Sequence, residues 1–161
     1  MSRTTATSLV LFLHVLGAIV AVGPSATYGI WIGRTERLEP ASTPHVLRTV
    51  RWIDRRLVTP AYGMQALTGV LLIGLEGIDV WHTGWLVAGV VIYVVVMILA
   101  VAFVGPLSRA RLALAERGGP NGPEDVRRAY EATGLRLRRI LAPVAIATLA
   151  IVYLMVVKPS L

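Results

Sequence analysis

The sequence predicts an all-α fold: a polytopic membrane protein whose four transmembrane helices form a bundle, in a single membrane domain over residues 1–161. Three observations carry this. The chain has 161 residues, 55% of them hydrophobic, with a mean hydropathy of +0.68, which is too apolar for an ordinary soluble domain. Four stretches with little or no charge are each long enough to cross a hydrocarbon core of roughly 30 Å. Of the 16 Lys and Arg residues, against 9 Asp and Glu, all but Arg3 and Lys158 are gathered into two blocks between the apolar stretches. The net charge of +7 therefore flanks membrane spans, and no basic globular domain is present to carry nucleic-acid binding. The absence of cysteine excludes disulfides, thiolate metal sites, iron–sulfur clusters and covalently attached haem.

The first helix is expected over about 7–33, around the charge-free run 8–32. That run is longer than the apolar core of a secretory signal, and its best small-residue site, Ala21-Val22-Gly23, falls in mid-span. A retained membrane helix is expected. Gly17, Ala21, Ser25, Gly29 and Gly33 recur every four residues, a row of small side chains into which a second helix can pack. His14 stands one turn before the row and is the one histidine inside an apolar span. Pro24 removes the hydrogen bond to the Val20 carbonyl, so a bend or loosening is expected there.

Residues 34–40 read as a polar connector, and 44–56 as an amphipathic lead-in capped by Ser42 or Thr43. Val46, Val50, Ile53 and Leu57 share one stripe, while Arg48, Arg51 and Arg55 take the opposite face, towards anionic lipid headgroups. The second helix covers about 57–75 and is entered through Pro60. Its Gln65 and Gly69, with Tyr62 and Thr68, suit helix-to-helix contact, because polar groups in lipid turn inward. A short turn with Trp81, His82 and Trp85 follows, its tryptophans placed as interfacial anchors. The third helix spans about 85–107 and continues towards Leu114, before the breaker Gly118-Gly119-Pro120-Asn121-Gly122-Pro123. A basic helix from Glu124 passes into the fourth span, about 138–157.

Orientation follows from the arginines. The connector after the first helix holds Arg34, Arg37, Arg48, Arg51, Arg55 and Arg56, and the one after the third holds eight more, from Arg109 to Arg139. The turn after the second helix holds none. The positive-inside rule places both connectors in the cytoplasm, with both termini and the Trp81 turn outside. The two halves, 1–80 and 81–161, also echo one another. Val22-Gly23-Pro24 recurs as Val104-Gly105-Pro106, and Arg55-Arg56-Leu57-Val58-Thr59-Pro60 as Arg138-Arg139-Ile140-Leu141-Ala142-Pro143. A duplication of this kind would make two parallel-repeat helical hairpins; shared boundary chemistry is the other reading.

Leu13-His14-Val15-Leu16-Gly17, Asp54-Arg55-Arg56, Thr68-Gly69 and the closing Met155-Val156-Val157-Lys158-Pro159 resemble a family of predicted bacterial integral membrane proteins, known mainly as a domain of unknown function. The resemblance covers nearly the whole chain. It implies a four-helix inner-membrane protein and no established activity. More distantly, a first-helix histidine followed by small residues is similar to the copper-resistance D membrane proteins and the HemJ-type protoporphyrinogen oxidases. That similarity would bring haem b or copper.

The chemistry open to the residues is narrow. His14, His82 and Met155 offer imidazole and thioether ligands for haem iron or copper, with Lys158 suited to a haem propionate. No motif such as HExxH ties them together. His14 otherwise bonds a neighbouring helix or relays a proton. No nucleophile–base pair, paired carboxylates or phosphate loop is present, and the acidic residues read as solvated connector surface. Two functions of different class remain. One is a non-enzymatic accessory subunit, scaffold or interaction protein, working as a homo-oligomer or within a larger membrane complex. The other is a haem- or copper-binding redox protein centred on His14.

Overall fold

The computed structural model describes residues 3–159, leaving the side chain of Arg3 aside. Among the described residues there are helices and turns and no strand. Helix α1 runs Arg3–Leu38, α2 Thr43–Ile53, α3 Thr59–Glu76, α4 Gly84–Leu99, α5 Gly105–Glu116 and α6 Glu124–Val157. Single π-helical turns, Asp54–Val58 and Ala100–Val104, join α2 to α3 and α4 to α5 without a break. Four helical stretches, Thr4–Leu38, Pro40–Glu76, Gly84–Glu116 and Glu124–Val157, are therefore long and apolar enough to cross a membrane. The fold is all-α, a four-helix membrane protein.

Residues 34–38, expected as connector, are helical instead. Nothing in Arg34-Thr35-Glu36-Arg37 opposes helix, and the Thr35 hydroxyl donates back to the Trp31 carbonyl at 2.9 Å. At 36 residues α1 is about 54 Å long, well beyond a hydrocarbon core, so its basic end projects into the headgroups and past them. Pro24 lies within the helix, where the neighbouring hydroxyls turn onto the backbone. Ser25 donates to the carbonyls of Ala21 and Val22, both at 3.0 Å, and Thr27 to that of Pro24 at 2.8 Å.

Each π turn ends two residues before a proline, Pro60 and Pro106. Proline's ring crowds the carbonyl four residues back and cannot donate to it, and a widened turn relieves both problems without ending the helix. Pro24 and Pro143 are carried inside α-helix with no such turn. Thus the echo that pairs Pro24 with Pro106, and Pro60 with Pro143, is not matched by the backbone around these prolines.

The helices assemble as two antiparallel hairpins. In the first, α1 packs along α3 and reaches α2; in the second, α4 and α5 pack in turn along α6. The hairpins join chiefly at the basic end, where α2 meets α5. A small core forms there from Leu47, Ala115 and Tyr130, with Ile32, Leu112 and Leu114 packed against it. Within the apolar part, the Tyr93 hydroxyl of α4 donates to the Tyr62 carbonyl of α3 at 2.6 Å. Gly118 makes the tight turn between α5 and α6: its φ is +111°, and a Cβ would stand 2.7 Å from Gly122 Cα, so only glycine fits.

Candidate functional site

His14 lies in the seam between α1 and α3. Its Nδ1 is 2.8 Å from the Thr68 hydroxyl oxygen, and that hydroxyl lies 2.7 Å from the Met64 carbonyl of its own helix. A hydroxyl has one proton; where the carbonyl takes it, the oxygen accepts from the ring, the tautomer with its proton on Nδ1 and its lone pair on Nε2. Among the described residues no hydrogen bond reaches Nε2. The Gln65 amide donates to the main-chain carbonyl of His14 in a short contact, so two turns of α3 hold one turn of α1.

The close approach here depends on Gly17. A Cβ at that position would meet Met64 Cε at 2.8 Å and Gln65 Nε2 at 3.0 Å, with the Ala61 carbonyl at 3.7 Å. Ala21, fully buried, continues the contact one turn on. Gly69 faces His14 across the seam, where a Cβ would sit 3.5 Å from Cε1, an ordinary contact.

Within the chain, the small-residue row is met by a neighbouring helix at its first members, Gly17 and Ala21. Gly29 and Gly33 would meet nothing within 4 Å, and the Ser25 hydroxyl is turned onto its own helix. Helical geometry is the reason. A four-residue step advances about 400°, so the row swings about 40° per member and about 160° from Gly17 to Gly33. A partner lying along α1 meets only the first members.

The expected ligand set is dispersed. His82 Nδ1 is 2.7 Å from Asp79 Oδ2 in the connecting turn, with its side chain 86% exposed. Met155 belongs to the second hairpin, its methyl group 3.3 Å from where a Gly89 Cβ would be. Lys158 places its ammonium 5.6 Å from the Trp85 ring centroid, a cation–π contact at the end of the same hairpin. Among the described residues no hydrogen bond, ion pair or ring contact joins any of these three to His14. The methionine that shares the seam of His14 is Met64. Among the described residues no three His, Cys, Asp or Glu side chains group as a metal site.

Of the arginines read as facing headgroups, Arg48 is exposed and reaches along the surface to α5. Its Nε pairs with Glu116 of α5 at 2.9 Å, an exposed ion pair between the hairpins. Arg51 is half-buried and Arg55 exposed.

A buried polar group at the basic end escapes the sequence reading. Glu36 of α1, expected as solvated surface, accepts from Arg111 of α5 at 2.5 Å and from the Tyr130 hydroxyl of α6. The Arg111 guanidinium lies 4.9 Å from the Tyr130 ring centroid and against the Gly134 backbone, where a Cβ would stand 3.3 Å from Cζ. The side chains of Arg111 and Glu36 are only 10% and 16% exposed, so this pair is a core element and not a surface one. Arg111 Nε and the buried Thr43 hydroxyl have no hydrogen-bond partner among the described residues. The sequence did carry a signal: Arg111 falls between Leu107 and Ala115 at four-residue spacing, a charge on an otherwise apolar stripe.

A family profile described as a predicted integral membrane protein matches residues 8–159. No curated protein and no solved structure matches the chain.

Proposed function

The chain belongs to the family of predicted integral membrane proteins of unknown function designated DUF2269, and on that footing we propose that it is a non-enzymatic accessory or scaffold subunit of a bacterial inner membrane. The observation that carries this reading is the way the spans are used. Only 6% to 17% of the residues in the most apolar window of each span are buried within the chain, while the basic end holds a packed, ion-paired core. One end is thus built to keep two hairpins in register, and the apolar lengths remain open to lipid, to a second copy or to the helices of a larger complex. Such surfaces are what an interaction subunit offers. Its basic core would lie on the cytoplasmic side, with both termini and the Trp81 turn outside.

Photo-crosslinking in native membranes tests this. A crosslinking residue at Ile146 or Leu149, both exposed on α6, is expected to capture protein, either another copy or a distinct subunit. Capture of lipid alone at every exposed position along α4 and α6 would overturn the reading.

A second reading rests on His14. An imidazole whose Nδ1–H is held by a hydroxyl and whose Nε2 is bare is arranged as a metal-ligating histidine is. Haem iron or copper bound at Nε2 would supply electron transfer; Thr68 would fix the ring, and Gln65 the backbone beneath it. His82, Met155 and Lys158 each meet a different neighbour, Asp79, Gly89 and Trp85, so this reading ranks second. The absorption spectrum and metal content of detergent-purified protein decide it. A Soret band or copper that is lost in His14→Gln and kept in His45→Gln supports a ligand. Colourless, metal-free protein from cells supplied with haem and copper ends that reading.

A further inference from the structure

The two legs of the second hairpin touch closely near both ends and part between them. Gly89 meets Met155 towards one end, and Gly134 meets Arg111 towards the other, each at a 3.3 Å Cβ approach. Between these contacts the chain widens into the π turn Ala100–Val104 and passes Pro106. There an open groove of about 480 Å³ lies between the legs, with Ala102, Phe103, Pro106 and Leu107 on one side and Ile140 on the other. Arg136 and Arg139 complete its lining. They are three residues apart on α6, so they occupy adjacent turns of one face. Among the described residues neither pairs with a carboxylate, whereas Arg48, Arg111, Arg127 and Arg128 all do.

We propose that this groove binds one anionic phospholipid, with an acyl chain along Phe103 and Leu107 and the phosphate held by Arg136 and Arg139. The groove's height supports this occupant. The uncharged run of α6 begins at Ile140, immediately after Arg139, so the guanidiniums stand where headgroups meet hydrocarbon. The chemistry agrees. A planar guanidinium takes a phosphate through paired N–H donors, and an anionic headgroup leaves its phosphate charge uncancelled for two such forks, whereas a zwitterionic headgroup offsets that charge with its own ammonium. A hydrocarbon chain alone would leave both cations without a counter-charge, and inorganic phosphate would leave the apolar wall uncovered. Arg55, by contrast, is exposed and does not line this groove.

The test uses the full chain in a neutral detergent, following thermal unfolding during titration with dioleoyl phosphatidylglycerol. Dioleoyl phosphatidylcholine and inorganic phosphate form separate arms. Ligand that binds the folded state raises the transition in proportion to occupancy, so the titration yields an apparent affinity. Phosphatidylglycerol is expected to stabilise the protein and the other two are not. Arg136→Gln and Arg139→Gln should each weaken the apparent affinity roughly fivefold, and together roughly 25-fold. Arg127→Gln with Arg128→Gln removes the same charge away from the groove and should leave the affinity within about twofold. Ala102→Phe fills the exposed groove wall with both arginines intact, and should reduce the lipid retained in native mass spectrometry. Equal stabilisation by phosphatidylcholine or by inorganic phosphate overturns the proposal. So does equal weakening by the two arginine pairs, or undiminished lipid retention by Ala102→Phe.

Discussion

Gly17 and Gly29 belong to the same row in the sequence and have opposite surroundings in the fold. Gly17→Leu drives a branched side chain into Met64 and Gln65, an overpacking that should destabilise by about 1–3 kcal/mol. Gly29→Leu enters open space and should change stability by less than about 0.5 kcal/mol, apart from a small gain in helix propensity. Thermal unfolding of the two variants in detergent checks the contrast; equal tolerance would mean that α1 and α3 do not pack at Gly17. At His14 the seam makes a related distinction. Thr68→Val keeps the shape and removes the acceptor for Nδ1–H, leaving a ring nitrogen without its partner. A loss of about 1 kcal/mol is expected, in the range measured for single hydrogen bonds between membrane helices. His14 itself was legible as a polar residue needing a partner. That the partner would be Thr68, and that Gln65 would hold the backbone, required two helices to be set side by side.

Among the elements, the projecting end of α1 decides most. Were residues 34–38 a loop, Glu36 would be free in solvent; as helix, they carry it one turn beyond Ile32 and into the face of α5 and α6. The resulting pair can be tested by a double-mutant cycle. Arg111→Met leaves the Glu36 carboxylate in a site it cannot solvate, and should destabilise by about 3 kcal/mol. Glu36→Gln strands Arg111 in the same way. The double variant should recover much of either loss, because removing both charges also removes the need to desolvate them. Strictly additive losses in a detergent unfolding assay would show that the two groups act independently. The exposed Arg48–Glu116 pair, from α2 to α5, should by contrast shift stability by no more than about 1 kcal/mol when removed.

At the scale of the molecule, the arginine blocks and the hairpin geometry meet in one expectation. Both blocks lie at the end where α2 meets α5, opposite the Trp81 turn. A cysteine placed at Thr83 should react with an impermeant thiol reagent on intact cells, and one at Asn121 only after the membrane is opened. Labelling of Asn121 from outside would reverse the orientation and move His14 to the other leaflet. Membrane residence, helix count and the positions of the turns were readable from the chain alone, because each depends on local quantities: the length of an apolar run, a glycine-rich breaker, the spacing of charges. Tertiary structure alone decided which polar groups are buried together. Glu36, Arg111 and Tyr130 come from α1, α5 and α6, and their meeting depends on how far each helix runs and how it is turned. It alone also set Thr68 beside His14 and Gly89 beside Met155, since which side chains meet depends on which helices pair, and hydropathy is the same for every pairing of four apolar spans.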